Sequence, residues 1–160
     1  MLRWLKSRKD TTHELSASKL YDADTFYQAF AKDLHKCKKE LIIESPFLTK
    51  ARVDRLTPIF QRLIAKDVGI IINTRPSSEQ DIVMAAQSEL AINTLLDMGI
   101  KVLFTGGHHR KLAIIDRQIL WEGSLNILSQ RNSCEIMRKV DSSCLAEQMI
   151  SYIKLRKYLR

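Results

Sequence analysis

Residues 107–140 hold the side-chain types in this sequence that are suited to chemistry on a phosphate ester. His109, Lys111 and Asp116 follow one another in the pattern His-x-Lys-x4-Asp. A neutral imidazole can attack phosphorus if its other nitrogen is held by an acceptor. A lysine ammonium group is a point charge that suits the non-bridging oxygens of a phosphate. The pattern therefore predicts phosphoryl chemistry centred on His109.

A second set of polar residues follows in the next predicted loop and strand. Ser124 and Asn126 stand in the tetrapeptide Gly-Ser-Leu-Asn, and Glu135 lies in the strand predicted after it. The amide and hydroxyl groups can donate hydrogen bonds to the phosphate oxygens, and a carboxylate can hold the imidazole. The candidate catalytic residues are His109, Lys111, Asn126, Ser124, Glu135 and Asp116.

The alternation of side chains along a strand divides these residues between two faces. Residues two apart share a face, so His109 and Lys111 are expected to address one phosphate. Asp116 is an odd number of positions from His109, so its side chain is expected to point to the opposite face. This favours a structural role for Asp116 and leaves Glu135 as the other candidate acceptor for the His109 imidazole. His108 faces the other side and is expected to be a loop or substrate-side residue.

These motifs resemble the signature of the phospholipase D superfamily, in which His-x-Lys-x4-Asp is followed by Gly-Ser or Gly-Gly and an asparagine. The resemblance extends over residues 22–158, and residues 43–48 are similar to the strand and loop that precede the core in that family. It implies metal-independent cleavage of a phosphodiester through a covalent phosphohistidine, without a cofactor. It also implies a second histidine that protonates the leaving alcohol.

The sequence contains one copy of the motif. His13 and His35 have no lysine two positions later and no aspartate seven positions later. The second His-Lys pair is therefore expected from another chain, because a two-fold symmetric homodimer would place His109 of each subunit across one cleft. Single-motif members of the family, which resemble small bacterial nucleases, are built in this way.

The charge balance indicates a polyanionic partner. The 160 residues include 26 Lys and Arg against 18 Asp and Glu, which gives a net charge of +8 and a pI near 9.5. Such an excess favours nucleic acid or an anionic membrane, and no apolar stretch approaches the roughly 18–20 residues of a membrane-spanning helix. We expect DNA, with single-stranded DNA or RNA as further substrates. Arginines in predicted loops are expected to hold its backbone: Arg75, Arg110, Arg117 and Arg131.

Two other functions stay open. A phospholipase or phosphatidyl transferase would act on lipid headgroups, although such enzymes usually carry two motifs. A non-catalytic nucleic-acid-binding module would keep the fold without the catalytic residues. The intact His, Lys, Ser and Asn of the motif argue against this function. The domain could also act beside a helicase or a restriction-type partner. The N-terminal residues lack a long apolar run, and three widely spaced cysteines form neither a disulfide framework nor a zinc pattern, so we expect a cytoplasmic protein without a metal.

Helices and strands alternate along the chain and must position these residues. Residues 1–20 are interpreted as a basic N-terminal arm and residues 21–160 as a single domain. Apolar periodicity predicts helices near 22–39, 53–66, 79–98 and 143–158, and strands near 40–44, 70–73, 100–104, 110–115, 118–121 and 134–140. This order predicts an α/β domain whose mixed, mostly parallel sheet is flanked by helices on both faces. The runs beside Asp116 and Arg117 predict a hairpin.

Overall fold

The computed structural model describes residues 18–129 and 134–159. Their strands are β1 (Ser18–Asp22), β2 (Glu40–Glu44), β3 (Gly69–Thr74), β4 (Lys101–Phe104), β5 (Leu112–Ile115), β6 (Ile119–Gly123) and β7 (Ile136–Asp141). Their α-helices are α1 (Ala23–Lys36), α2 (Lys50–Ile64), α3 (Ile82–Asp97) and α4 (Ser143–Ile153). Two short 3₁₀ turns lie at Ser77–Glu79 and Arg156–Tyr158.

The strands form one mixed sheet in the order β1-β7-β6-β5-β2-β3-β4. Strands β2, β3 and β4 run parallel to one another, whereas the other four pairings between described strands are antiparallel. The predicted mixed α/β sheet is confirmed, but the prediction that it is mostly parallel is wrong. The connection from β5 to β6 is a tight turn, too short for the crossover that a parallel pair requires.

Helices cover both faces of the sheet, as predicted. Phe26 of α1, Phe60 of α2 and Leu95 of α3 belong to one buried core on the first face. Ile150 of α4 packs with Ile114 of β5 in a second buried core on the other face. The sheet is therefore the middle layer of three, and it fixes where its strand ends and loops lie.

The connection between β5 and β6 is the predicted hairpin. Asp116 and Arg117 both have a φ of 53°, which a two-residue type I′ turn requires at both central positions. The Asp116 carboxylate accepts hydrogen bonds from the backbone N–H groups of Lys38, Lys39 and Glu40 at 2.9, 2.7 and 3.1 Å. The hairpin tip is thereby fastened to the segment that leads into β2.

Two differences between the predicted and the observed elements affect the sheet and the candidate site. Residues 18–20, interpreted as part of the N-terminal arm, belong to β1, whose Leu20 pairs with Arg138 of β7. The rest of the predicted arm lies outside the described residues. Strand β5 begins at Leu112, two positions later than predicted, so His109 and Lys111 precede the strand.

Candidate active site

The candidate site lies at the end of the sheet where β2, β3 and β4 finish and antiparallel β5 starts. His109 and Lys111 lie in the irregular segment that leads into Leu112, so the strand geometry predicted for them is wrong. The Lys111 ammonium donates a hydrogen bond to the His109 carbonyl oxygen at 2.7 Å. The His109 ring is exposed to solvent. The pair therefore shares one end of the sheet, held by a local hydrogen bond.

The loop after β6 reaches the same end of the sheet. The Leu128 N–H donates to Ser45 Oγ at 3.2 Å, and the Thr49 N–H donates to the Leu128 carbonyl at 2.9 Å. Both partners belong to the loop that follows β2. The Oδ1 atom of Asn126 is buried within this arrangement. The structure thus brings the predicted asparagine to the end of the sheet that carries the His-Lys pair.

Ser124 and Glu135 lie where the loop returns to β7. Ser124 Oγ accepts a hydrogen bond from the Ile136 N–H at 3.2 Å, so its hydroxyl connects two strand ends. A Cβ on the neighbouring Gly123 would clash with the Ile136 carbonyl and lie 2.8 Å from the Met137 Cα, which explains the glycine. Glu135 directly precedes β7, and among the described residues no hydrogen bond joins it to His109. Its role as the imidazole acceptor stays a prediction.

Arg75 faces the His109 ring from the loop after β3. Its Nη1 atom lies 3.4 Å from His109 Nε2. A guanidinium group has donors only, so this contact is a hydrogen bond in the tautomer whose Nε2 carries no proton. In that tautomer Nε2 holds the lone pair that nucleophilic attack requires.

The preceding ring, His108, points into the protein. It is buried, and both ring nitrogens lack hydrogen-bond partners among the described residues. Burial lowers the pKa of His108, while the nearby Glu44 carboxylate acts in the opposite direction. His108 is buried whereas His109 is exposed, although neither residue lies in the strand on which the alternation argument depended.

Arg110, expected to contact substrate, is instead held by a buried carboxylate. Its Nε and Nη2 atoms both bind Glu44, the second at 3.0 Å, and Glu44 has no exposed surface. Asn73 donates to the same carboxylate at 2.8 Å and accepts from Thr105 at 3.1 Å. Sequence reasoning missed this network. A glutamate within the apolar run Leu-Ile-Ile-Glu is the signal that could have revealed it.

The structure does not bring Asp116 or Arg117 to the site. Both follow β5, whereas Lys111 precedes it, and five strand steps of about 3.3 Å separate Lys111 from Asp116 by roughly 16 Å. Arg117 pairs with Glu40 at 2.6 Å. The catalytic assignment of Asp116 and the backbone contact expected of Arg117 are therefore corrected to structural roles. Arg131, also expected to bind substrate, lies outside the described residues.

Replacing Asp116 with alanine should lower stability and spare the chemistry. Burial alone would raise the Asp116 pKa, but the backbone N–H groups that it accepts lower it below the usual value. Loss of these charged hydrogen bonds should reduce the free energy of unfolding by about 2–3 kcal/mol at pH 7. Because the folded pKa is lowered, this stabilisation exists above the unfolded pKa and disappears as the pH falls through the folded value.

Urea unfolding of the wild type and Asp116→Ala at pH 7 and pH 3 measures this difference. We expect the difference in free energy of unfolding between the two proteins to be smaller at pH 3 than at pH 7. A folded Asp116→Ala protein with more than tenfold lower turnover would contradict the structural assignment.

Within residues 18–129 and 134–159, no group of three or more His, Cys, Asp and Glu side chains is placed to hold a metal ion. None of the helices in these ranges combines the length and apolar character needed to cross a membrane.

A family model described as "Cardiolipin synthase, PLD-like domain" matches residues 30–156. The chain belongs to this PLD-like family. The matched residues include the whole candidate site, from Glu44 to Glu135, and the phospholipase D resemblance is confirmed. Membership in the PLD-like family indicates chemistry at a phosphodiester. No curated protein sequence matches the chain.

Solved structures share the PLD-like fold. Nuc, a phospholipase D family member from Salmonella typhimurium, has a TM-score of 0.68 and 16% identity over 89% of this chain and 94% of its own. NucT from Helicobacter pylori has a TM-score of 0.67 and 18% identity over 86% and 92%. Phosphatidylserine synthase from Haemophilus influenzae has a TM-score of 0.64 and 15% identity over 89% of this chain but 39% of its own. These likenesses establish the fold of this chain.

Proposed function

We propose that this PLD-like protein is a metal-independent phosphodiesterase that cleaves DNA, and single-stranded DNA or RNA in the same site, through a phosphohistidine at His109. The observation that carries the proposal is the exposed His109 ring whose Nε2 faces Arg75 at 3.4 Å. Lys111 stands beside it, and Asn126 lies at the same end of the sheet. Two cationic side chains can stabilise the charge that develops on non-bridging phosphate oxygens.

The reaction consists of two displacements at phosphorus. Nε2 of His109 attacks, so a P–N bond forms while the P–O bond to the leaving group breaks. The leaving oxygen takes a proton from a second histidine in its imidazolium form. Water then attacks the phosphohistidine, gives a proton to that second imidazole, and breaks the P–N bond. Both histidines return to their starting states, and the net reaction consumes one water.

The second histidine comes, in this proposal, from a second copy of the chain. Among the described residues, His108 is buried and not exposed to a substrate in solution. His35 lies at the other end of the molecule, where its Nδ1 atom is 3.4 Å from Arg62 Nη1. His13 lies outside the described residues. A symmetric homodimer supplies His109 twice across one cleft, which completes the acid and nucleophile pair.

The start of α3 offers the surface that a second copy would cover. Ile82 and Val83 are 89% and 67% exposed. They follow the 3₁₀ turn whose Glu79 accepts the Gly107 N–H at 2.8 Å, so they lie at the site end of the sheet. Large apolar side chains exposed together are typical of interaction surfaces. A single His109 leaves the site incomplete, and for this reason we assign the surface to a second copy.

Replacing Ile82 and Val83 together with glutamate should produce monomers and reduce cleavage at least tenfold. The carboxylates would have to be buried without partners in the dimer interface, which is costly. Leu96→Glu is the matched control, since Leu96 is 51% exposed at the other end of α3. Light scattering after size-exclusion chromatography measures the mass. A fully active wild-type monomer, or a double variant that stays dimeric and active, would contradict the composite site.

A phospholipase or phosphatidyl transferase is the second candidate function. A groove of 560 Å³ adjoins Lys111 and Gly123. Two of its lining residues, Leu20 and Ile136, are 66% and 57% exposed and are suited to lipid contact. The family description and one structural neighbour also refer to phospholipid synthesis by name. The net charge of +8 favours nucleic acid.

A cleavage assay in EDTA decides between these functions. The purified protein is incubated with supercoiled plasmid, single-stranded DNA and RNA, and in parallel with vesicles of phosphatidylglycerol and cardiolipin. We expect nicking of the plasmid without added divalent metal and no headgroup release. Headgroup release with intact DNA would establish the lipid function instead. DNA binding without cleavage of any substrate would identify a non-catalytic module.

A further inference from the structure

Arg75 links the loop after β3 to the segment that carries His109. Its Nε donates to Glu79 Oε2 at 3.2 Å, its Nη2 donates to the Glu79 carbonyl at 3.4 Å, and its Nη1 lies 3.4 Å from His109 Nε2. The Arg75 side chain is 17% exposed, and its guanidinium lies 5.7 Å from the centre of the Phe47 ring. Within the described residues, these contacts use three of about five guanidinium N–H groups and leave donors for a ligand.

Glu79 extends from the 3₁₀ turn to the backbone just before the two histidines. Its Oε2 atom also accepts the Gly107 N–H at 2.8 Å. Gly107 has a φ of 66°, a value that favours glycine, and a Cβ at Gly106 would lie 2.7 Å from Glu79 Oε1. The Gly107 N–H and the Arg75 guanidinium lower the Glu79 pKa. The double-glycine turn therefore leaves room for an ionised carboxylate beside the chain that leads into His109.

We propose that Arg75 binds the substrate phosphate beside His109 and that Glu79 is the positioning residue that fixes Arg75 and His109 relative to each other. The inference rests on the proposed function, in which His109 Nε2 is the nucleophile. The Arg75 contact selects the tautomer with an unprotonated Nε2. A phosphate whose phosphorus approaches Nε2 comes within reach of the guanidinium already in contact with that atom. A planar guanidinium can bind two phosphate oxygens at once, which an ammonium group cannot do.

The same chain contains a matched control for this contact. Arg62 Nη1 lies 3.4 Å from Nδ1 of His35, at the end of the molecule opposite the candidate site. Arg62→Ala removes an arginine–histidine contact of the same length without touching Arg75 or Glu79. Any general effect of losing one positive charge is therefore measured separately.

Nitrogen-15 NMR of the full chain labelled at histidine tests the proposal without turnover. At a pH near 8.5, where an ordinary histidine is neutral, we expect the wild-type His109 Nε2 to be unprotonated. Arg75→Ala and Glu79→Gln should shift His109 towards the tautomer with a proton on Nε2. Titration with inorganic phosphate should give a dissociation constant about tenfold higher in Arg75→Ala, with a smaller rise in Arg75→Lys. Arg62→Ala should change the His35 signals alone.

Two results would overturn the proposal. An unchanged His109 tautomer together with unchanged phosphate affinity in Arg75→Ala would exclude Arg75. Altered signals in Arg75→Ala but not in Glu79→Gln would exclude Glu79 as the positioning residue. If circular dichroism shows that Arg75→Ala is unfolded, Arg75→Lys decides in its place. A raised phosphate dissociation constant in Arg75→Lys supports the proposal, and a value equal to that of the wild type contradicts it. A protein that cleaves nothing would overturn the proposed function but leave these readouts valid.

Discussion

His109→Ala is expected to abolish phosphodiester cleavage while leaving nucleic-acid binding within a few-fold of the wild type. In a symmetric dimer, this side chain is the nucleophile in one subunit and the proton donor in the other, so the variant lacks both. Acid–base catalysis alone contributes about 10²–10⁴-fold, and removal of the covalent route adds to it. We expect turnover to fall on the order of 10⁴-fold or more. Plasmid nicking in EDTA measures turnover, and fluorescence anisotropy measures binding.

His35→Ala is the matched control, because His35 is exposed and contacts Arg62 at the far end of the molecule. A further arm mixes wild-type and His109→Ala subunits. A heterodimer with one His109 should be as inactive as the variant homodimer, whereas independent subunits would keep half of the activity. Turnover of the His109→Ala homodimer within tenfold of the wild type would contradict the assignment of the nucleophile.

Arg110→Ala is expected to destabilise the protein by about 3–5 kcal/mol, the cost of leaving a buried charge without its partner. Glu44 has no exposed side-chain surface, whereas the Arg110 side chain is 38% exposed. Removal of the arginine leaves the buried Glu44 carboxylate without its ion-pair partner. The Asn73 amide is then its remaining donor among the described residues. Glu44→Gln should cost less, since Arg110 can turn to water. Replacing either partner of this ion pair is therefore expected to reduce the free energy of unfolding by a different amount.

Urea unfolding at pH 7 measures both variants, with Arg138→Ala as the control. Arg138 pairs with Glu122, but its side chain is 52% exposed, and loss of such a surface pair should cost about 0–1 kcal/mol. If Arg110→Ala reduces the free energy of unfolding by no more than Glu44→Gln does, the Glu44 carboxylate is not held as the structure indicates.

The PLD-like family and the position of the candidate site were largely predictable, because the residue types and spacing within 107–140 carry the family's motif. His109, Lys111 and Asn126 come to one end of the sheet although the predicted strand geometry of the first two was wrong. The hairpin at Asp116 was predictable for a local reason, since a two-residue connection between apolar runs favours a tight turn. Its corrected role depends on Lys38 and Lys39, which lie far away in the sequence.

The remaining features depend on long-range alignment that a single sequence does not encode locally. The pairing of Arg110 with Glu44 spans 66 positions and follows from the antiparallel register of β2 and β5. The contact of Arg75 with His109 spans 34 positions and requires β3 and β4 to end side by side. Strand β1 was missed because Leu20 is 66% exposed at the sheet edge, so no burial pattern marks it.

The stereochemical course of cleavage at phosphorus tests the central claim most directly. A substrate with one phosphorothioate linkage of known configuration is cleaved in water enriched in oxygen-18, and the configuration of the product is determined. Two in-line displacements through a phosphohistidine at His109 predict net retention of configuration. Inversion would show that water attacks the phosphodiester in one step, which would contradict the covalent role of His109.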